Sequence, residues 1–228
     1  ADSIQETLDL HVAAYRVAED LNIPVMVCLA GFILTHLMQY AVVPSKALIK
    51  KYLPDSNPFN KLDPQNPLSF GPLVGPKDYI VWRQELHDDL IASVPMIDKH
   101  FSEFQKIFGR SLRQITGYNL EEAETVFVTM GSLAADLQDF IKDKPKLGLI
   151  KVTSLRPFPD QAIRDLLIKT KVKNLAVIDK SISLGSEGIL ATEVKRALYG
   201  GKLNIVSFIV GLGGHVVMPD DFAKIAGL

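Results

Sequence analysis

Leu175-Ala176-Val177-Ile178, followed by Asp179-Lys180-Ser181-Ile182-Ser183-Leu184-Gly185-Ser186-Glu187-Gly188, is the stretch on which the reading of this chain turns. Four apolar residues bounded by an acid and a Gly/Ser run describe a short buried strand whose carboxyl end opens into a small-residue loop. The pattern occurs twice more. Leu149-Ile150-Lys151-Val152 leads into Ser154-Leu155-Arg156-Pro157-Phe158-Pro159, and Ile205-Val206-Ser207-Phe208-Ile209-Val210 leads into Gly211-Leu212-Gly213-Gly214-His215. Apolar strands alternating with helical stretches predict an open parallel α/β sheet, with its ligand or partner edge at the strands' carboxyl ends.

Outward from that core, Thr125 to Met130 reads as a further strand, Gly131-Ser132 as a tight turn and Leu133 to Ile141 as a helix. Helices are also predicted over Asp160 to Lys169, Gly188 to Tyr199 and Pro219 to Ile225. Upstream, Ile4, Leu8, Val12, Tyr15 and Ala18 fall at helical spacing behind an Asp2 or Ser3 cap. Pro24 to Leu29 predicts a buried strand, and Pro44-Ser45 opens a short helix ending at Tyr52. Pro54, Pro58, Pro64, Pro67, Pro72 and Pro76 follow; such density permits neither a helix nor a central strand, so this is a stiff connector. Tyr79 to Phe108 returns to helical periodicity, perturbed at Pro95 and closed by Gly109. The expected organisation is residues 1–55, a connector and long helix over 56–117, and a second body over 118–228.

The chain has 228 residues, a hydrophobic fraction of 47% and a net charge of -1, which describe an ordinary globular protein. That balance argues against nucleic acid and against a basic membrane patch as partners. The apolar run from Ile23 to Leu34 contains Pro24 and Gly31 and falls short of the roughly 20 residues of a membrane span; a cytoplasmic location is expected. Cys28 is the single cysteine, so no internal disulfide forms and four thiolates for an iron–sulfur cluster are not available. On a buried strand it is expected to act as a small hydrophobe. The opening Ala1-Asp2-Ser3, without a methionine, predicts a portion of a longer subunit.

Gly131-Ser132 stands where a strand meets a helix N-terminus, a place for an anion or simply a tight turn; it lacks Gly-x-Gly-x-x-Gly spacing and a phosphate-loop lysine. Arg156, beside Pro157 and Phe158, can clamp a carboxylate or phosphate, or bridge to a neighbouring subunit or to Asp160. Asp179, with Gly185 and Gly188 in the loop after it, either borders a close backbone approach or caps the local turn. Gly211, Gly213 and Gly214 form a loop of little bulk before His215, a candidate proton shuttle. No histidine pair at metal-ligand spacing and no nucleophile elbow is present, so neither a metal ligand nor a catalytic residue is assigned.

Tyr15-Arg16-Val17-Ala18-Glu19-Asp20, Pro24-Val25-Met26-Val27 and Gly31-Phe32-Ile33-Leu34-Thr35-His36 resemble the end of the pyrimidine-binding domain of 2-oxoacid:ferredoxin oxidoreductase alpha subunits. Leu62-Asp63-Pro64 to Gly71-Pro72, Phe108-Gly109-Arg110, Arg156-Pro157-Phe158-Pro159 and Gly211-Leu212-Gly213-Gly214 continue the pattern in order. The resemblance implies the tail of a thiamine-binding α/β domain, the proline-rich connector, and a transketolase C-terminal-like sheet, open and mostly parallel, with flanking helices.

It also implies a complex that decarboxylates a 2-oxoacid such as pyruvate, passes electrons through iron–sulfur clusters to ferredoxin, and hands the acyl group to coenzyme A. Thiamine diphosphate with magnesium, and the clusters, then belong to the whole complex, with none expected to be held wholly by this chain. Its role would be scaffold and interface to the other subunits, and Thr35 and His36 join the loop residues above as interface candidates. The family's activating glutamate and its substrate-side arginine and threonine lie upstream of position 1. This chain departs from the family at Ala30-Gly31-Phe32, commonly Asp-Gly-Phe, and at Tyr40-Ala41-Val42, where a Glu-Pro-Val-like stretch is usual. The competing expectations are the C-terminal region of a transketolase-like or dehydrogenase-type thiamine enzyme, and a non-catalytic interaction module.

Overall fold

Alternation along Thr125-Val126-Phe127-Val128-Thr129-Met130 sets the architecture: Val126 and Val128 enter one apolar cluster and Phe127 the opposite one, so a single strand feeds two faces. The computed structural model describes residues 1–53, 55, 61–168 and 170–227. Pro54, Pro58 and the expected helix end at Lys169 lie outside the described residues. In chain order the helices α1 (Ile4–Leu21), α2 (Ile33–His36), α3 (Lys46–Tyr52) and α4 (Pro76–Phe108) precede the sheet. There follow β1 (Ile115–Tyr118), β2 (Thr125–Met130), α5 (Ser132–Ile141), β3 (Leu147–Val152), α6 (Asp160–Leu167), β4 (Asn174–Asp179), α7 (Ile189–Ala197), β5 (Asn204–Ile209) and α8 (Pro219–Ala226).

Two compact units divide the chain. One comprises Ala1–Leu8, Val27–Val42 and Arg113–Leu228; the other comprises Asp9–Met26 and Val43–Leu112. In the first, the strand order is β1-β3-β2-β4-β5. β2, β3, β4 and β5 run parallel, and β1 lies antiparallel to β3 with Ile115 opposite Val152. The open, mostly parallel sheet with flanking helices expected from the three strand-and-loop units is present. On one face α6 and α7 contribute Ile163, Leu167, Leu190 and Val194 against Val126, Val128, Ile150 and Val177. On the other, α5 and α8 set Leu133, Leu137, Ile141 and Phe222 against Phe127, Leu149 and Ile178.

Helices α3 and α4 and most of α1 build the second unit. Ser93, Ile97, His100, Phe101 and Phe104 repeat at three and four residues and are buried, so the second half of α4 has one packed stripe. Phe104 meets Tyr52 edge-on at 5.5 Å and Phe108 at 4.3 Å. Asp9, buried, receives both Nε and Nη2 of Arg110 at 2.7 Å. His100 is fully enclosed, with Nε2 3.0 Å from Asp20 and Nδ1 3.5 Å from Glu103. Pro95 sits inside the helix as expected; it withholds a donor from the Ile91 carbonyl, at a residue that is exposed. Gly109 closes α4 at φ 72, donating its N–H to Gln105.

Two expectations need correction. Pro24 to Leu29 is not a strand: Val25, Met26, Cys28 and Leu29 are exposed in an irregular segment, and none of it pairs with a strand among the described residues. A strand-length apolar run is buried only where a sheet offers it a neighbour, and Pro24 supplies no donor to one. Cys28 is accordingly an exposed thiol rather than a core residue. The sheet also begins before Tyr118, because the short segment Ile-Thr-Gly-Tyr, too brief and Gly-broken to read as a strand, pairs along β3.

Candidate functional site

Helix α5 leaves β2 over one face of the sheet, while α7 leaves the adjacent β4 over the other. Neighbouring strands whose connections diverge in this way open a crevice at their carboxyl ends, the usual ligand position in such sheets. Gly131-Ser132 and Asp179 border it, and the Thr129 hydroxyl bridges its floor by donating to the Ile178 carbonyl at 2.9 Å.

Gly131 has φ 68 and ψ -154, a region essentially confined to glycine, and turns the chain from β2 into α5. Ser132 is buried and its hydroxyl has no hydrogen-bond partner. The carbonyl of Ala1 stands 3.7 Å from where a Cβ at Gly131 would project. Beside it, Lys151 on β3 reaches Asp2 at 2.6 Å and Glu6 at 2.8 Å. Burial alone would lower the Lys151 pKa; Glu6 and Asp2 outweigh it and hold the ammonium protonated above its usual range. Burial likewise works to raise Asp2, but the Lys151 ammonium prevails and keeps that carboxyl below its ordinary value. The first turn of α1 is thereby locked over the ends of β2 and β3.

Asp179 is buried and accepts the backbone N–H groups of Leu190 at 3.0 Å and Ala191 at 3.1 Å, capping α7. Burial pushes its pKa up; the two amides pull it down and Glu187 adds to the rise. Gly188 is buried and lies against this carboxylate, where any Cβ would overlap it. Gly185 sits at the exposed tip of a turn in which Ser186 donates to Ser183 at 2.8 Å.

Arg156 is exposed, joined to residue 157 by a cis peptide bond, and pairs with Glu193 on α7 at 2.8 Å. Asp160 is taken instead by Arg196, through contacts of 2.7 and 2.6 Å. Phe158 belongs to the apolar cluster under α6 and α7. Gly211, Gly213 and Gly214 all have positive φ around a short 3-10 turn, with the Lys180 side chain lying across Gly211. His215 is exposed beside an open depression of about 550 Å³ that Phe208, Leu212 and Val217 also line. No carboxylate pairs with it among the described residues. Thr35 and His36 are exposed elsewhere in this unit: the Thr35 hydroxyl is 2.8 Å from His36 Nδ1, and the His36 ring stacks on Phe32 at 4.9 Å. The structure thus sets Gly131, Ser132, Asp179 and Gly188 beyond the carboxyl ends of the adjacent strands β2 and β4, Gly211 and His215 beyond the end of β5, and uses Phe158 for packing. The sequence reading missed Lys151 and Glu193; a charged residue inside the apolar run of β3 was the signal for the first.

Comparison with known proteins matches two family models along the chain. The model of the pyruvate flavodoxin/ferredoxin oxidoreductase thiamine-diphosphate-binding domain matches residues 1–101, and that of pyruvate:ferredoxin oxidoreductase core domain II matches residues 123–222. Pyruvate synthase subunit PorA of Pyrococcus abyssi is 40% identical over 226 residues, 95% of this chain and 57% of the relative. The chain belongs to the 2-oxoacid:ferredoxin oxidoreductase family. PorA of Methanothermobacter thermautotrophicus is 36% identical over 98% of the chain and 59% of the relative. Ketoisovalerate oxidoreductase subunit VorA of Pyrococcus horikoshii is 37% identical over 99% and 59%. The chain therefore spans under two thirds of the length of these oxidoreductase subunits. A solved 2-oxoglutarate:ferredoxin oxidoreductase from Magnetococcus marinus, with 2-oxoglutarate, coenzyme A and succinyl-CoA bound, aligns over 67% of this chain and 23% of that one. Its identity is 15% and its TM-score 0.39, too slight a likeness to add to the sequence matches.

The residues in hand do not fit the oxidoreductase cofactors as complete sites. Among the described residues no three His, Cys, Asp or Glu side chains converge as metal ligands. Cys28 is single and exposed, so an iron–sulfur ligand set is not assembled from this chain. At the ends of β2, β3 and β4, Asp179 is committed to α7 and Lys151 to α1, while the Ser132 hydroxyl is buried without a partner. No described helix is long and apolar enough to cross a membrane.

Proposed function

We propose that this chain is a scaffold and interface portion of an alpha-type subunit in a cytoplasmic 2-oxoacid:ferredoxin oxidoreductase, with pyruvate as substrate. In that reaction the 2-oxoacid loses carbon dioxide, two electrons leave its former carbonyl carbon through iron–sulfur clusters to ferredoxin, and the acyl group ends on coenzyme A. Thiamine diphosphate with magnesium, when bound in the complex, stabilises the carbanion left by decarboxylation. This chain's own residues hold shape: residues 1–55 are the tail of the pyrimidine-binding domain, 56–117 connect, and 118–228 form the transketolase C-terminal-like body. The loop residues at the sheet's carboxyl edge, with Thr35 and His36, face neighbouring domains and subunits.

The observation that carries this reading is relatedness along nearly the whole chain to pyruvate synthase and ketoisovalerate oxidoreductase subunits at 34–40% identity. The internal pairing of Asp179 with α7 and of Lys151 with Asp2 and Glu6 suits a positioning role. The test is reconstitution of the complete complex containing this chain, with viologen reduction followed on adding pyruvate or 3-methyl-2-oxobutanoate. Reduction that needs coenzyme A and is faster with pyruvate is expected. A complex that transfers acyl groups without reducing the dye would move the chain to the dehydrogenase-type thiamine enzymes. Failure to associate with any cluster-bearing subunit would leave an interaction module.

A further inference from the structure

We draw no further inference here: the strongest candidate, the N-terminus of α5 with the buried, unpartnered hydroxyl of Ser132, lies against Ala1 and beside the acids Asp2 and Glu6, and nothing in the structure shows what ligand it would take.

Discussion

The sheet of one unit and helix α4 of the other differ in how completely they bury what their sequences make apolar. In the sheet unit, β2, β3 and β4 are covered on both faces and most apolar residues of α5, α6 and α7 have partners inside the unit, while Ile189 and, in the segment Val27–Val42, Phe32, Met38 and Tyr40 are exposed. In the helical unit the second half of α4 packs, while its first half exposes Tyr79, Ile80, Val81 and Trp82. Leu62, Leu68 and Leu73 in the segment before it are exposed as well. Exposed apolar side chains in such number are where other protein can pack. The lesson lies within each unit: the strands and the second half of α4 are packed from within, while the first half of α4 and the segment Val27–Val42 leave apolar side chains open.

The largest expected effect follows from that contrast. Phe127 is fully enclosed under α5 and α8. Phe127→Ala should cost about 3–5 kcal/mol from lost burial and the cavity left behind, read as a lower midpoint in urea unfolding. Leu86→Ala, at the exposed half of α4, should leave that midpoint within about 0.5 kcal/mol. Equal losses would erase that contrast. Next comes Lys151→Met. It leaves Asp2 and Glu6 mostly buried without their cation, and should cost about 3 kcal/mol. The added Asp2→Asn and Glu6→Gln changes should restore much of that stability if the lock is electrostatic.

The same contrast governs what could be read from the sequence. Strands β2, β4 and β5 and helices α3, α4 and α8 were legible to within about three residues, because period-two and period-3.6 patterns sat between clear breakers, Pro44, Gly109 and Gly188 among them. Pro24 to Leu29 misled, since its composition states a wish to be buried without saying whether a neighbour exists. β1 was invisible for the converse reason: four residues around Gly117 become a strand through β3, not through their own propensity. At the crevice, Asp179 read equally as cap or binding group. The decision lay in the N–H groups of Leu190 and Ala191, which spacing does not reveal. Lys151 was legible as an anomaly, and its partners 145 and 149 positions upstream were not.

Gly188→Ala sharpens the comparison at the scale of one loop. A methyl group there overlaps the Asp179 carboxylate, so the α7 cap must break or shift, at about 1–3 kcal/mol. Gly185→Ala meets no neighbour and carries the strain of φ 78 alone, about 1 kcal/mol. Thermal unfolding of the pair should therefore rank 188 below 185. If the two are equal, the Asp179 cap contributes little to holding α7.

Acid should weaken the sheet unit through identifiable groups. Glu124, between Lys146 and Lys173, is pulled from the ordinary 4.5 to about 2. A carboxyl held below its unfolded value stabilises the fold above that value and loses the contribution as pH falls, here between about 4.5 and about 2. Asp2, also lowered, acts in the same direction; Asp179, raised, opposes it, since its protonated form is favoured in the fold and that contribution fades as pH rises past the raised value. Glu124→Gln should flatten the acid limb of unfolding midpoint against pH. An unchanged slope would mean that the exposed lysines are screened by solvent.

The smallest expected stability change is at Trp82, and it bears most directly on why the first half of α4 is open. It is the sole tryptophan and is 47% exposed on the unpacked half of α4. Trp82→Ala should alter unfolding by less than about 0.5 kcal/mol, yet weaken assembly with the other subunits, because buried aromatic anchors dominate such contacts. Its fluorescence reports the same event without mutation. Emission from the isolated chain should lie toward the red, as for a water-exposed indole, and move to the blue on assembly. An emission maximum unmoved in the assembled complex would show that this face stays in water, and the exposed half of α4 would then need an explanation other than a partner.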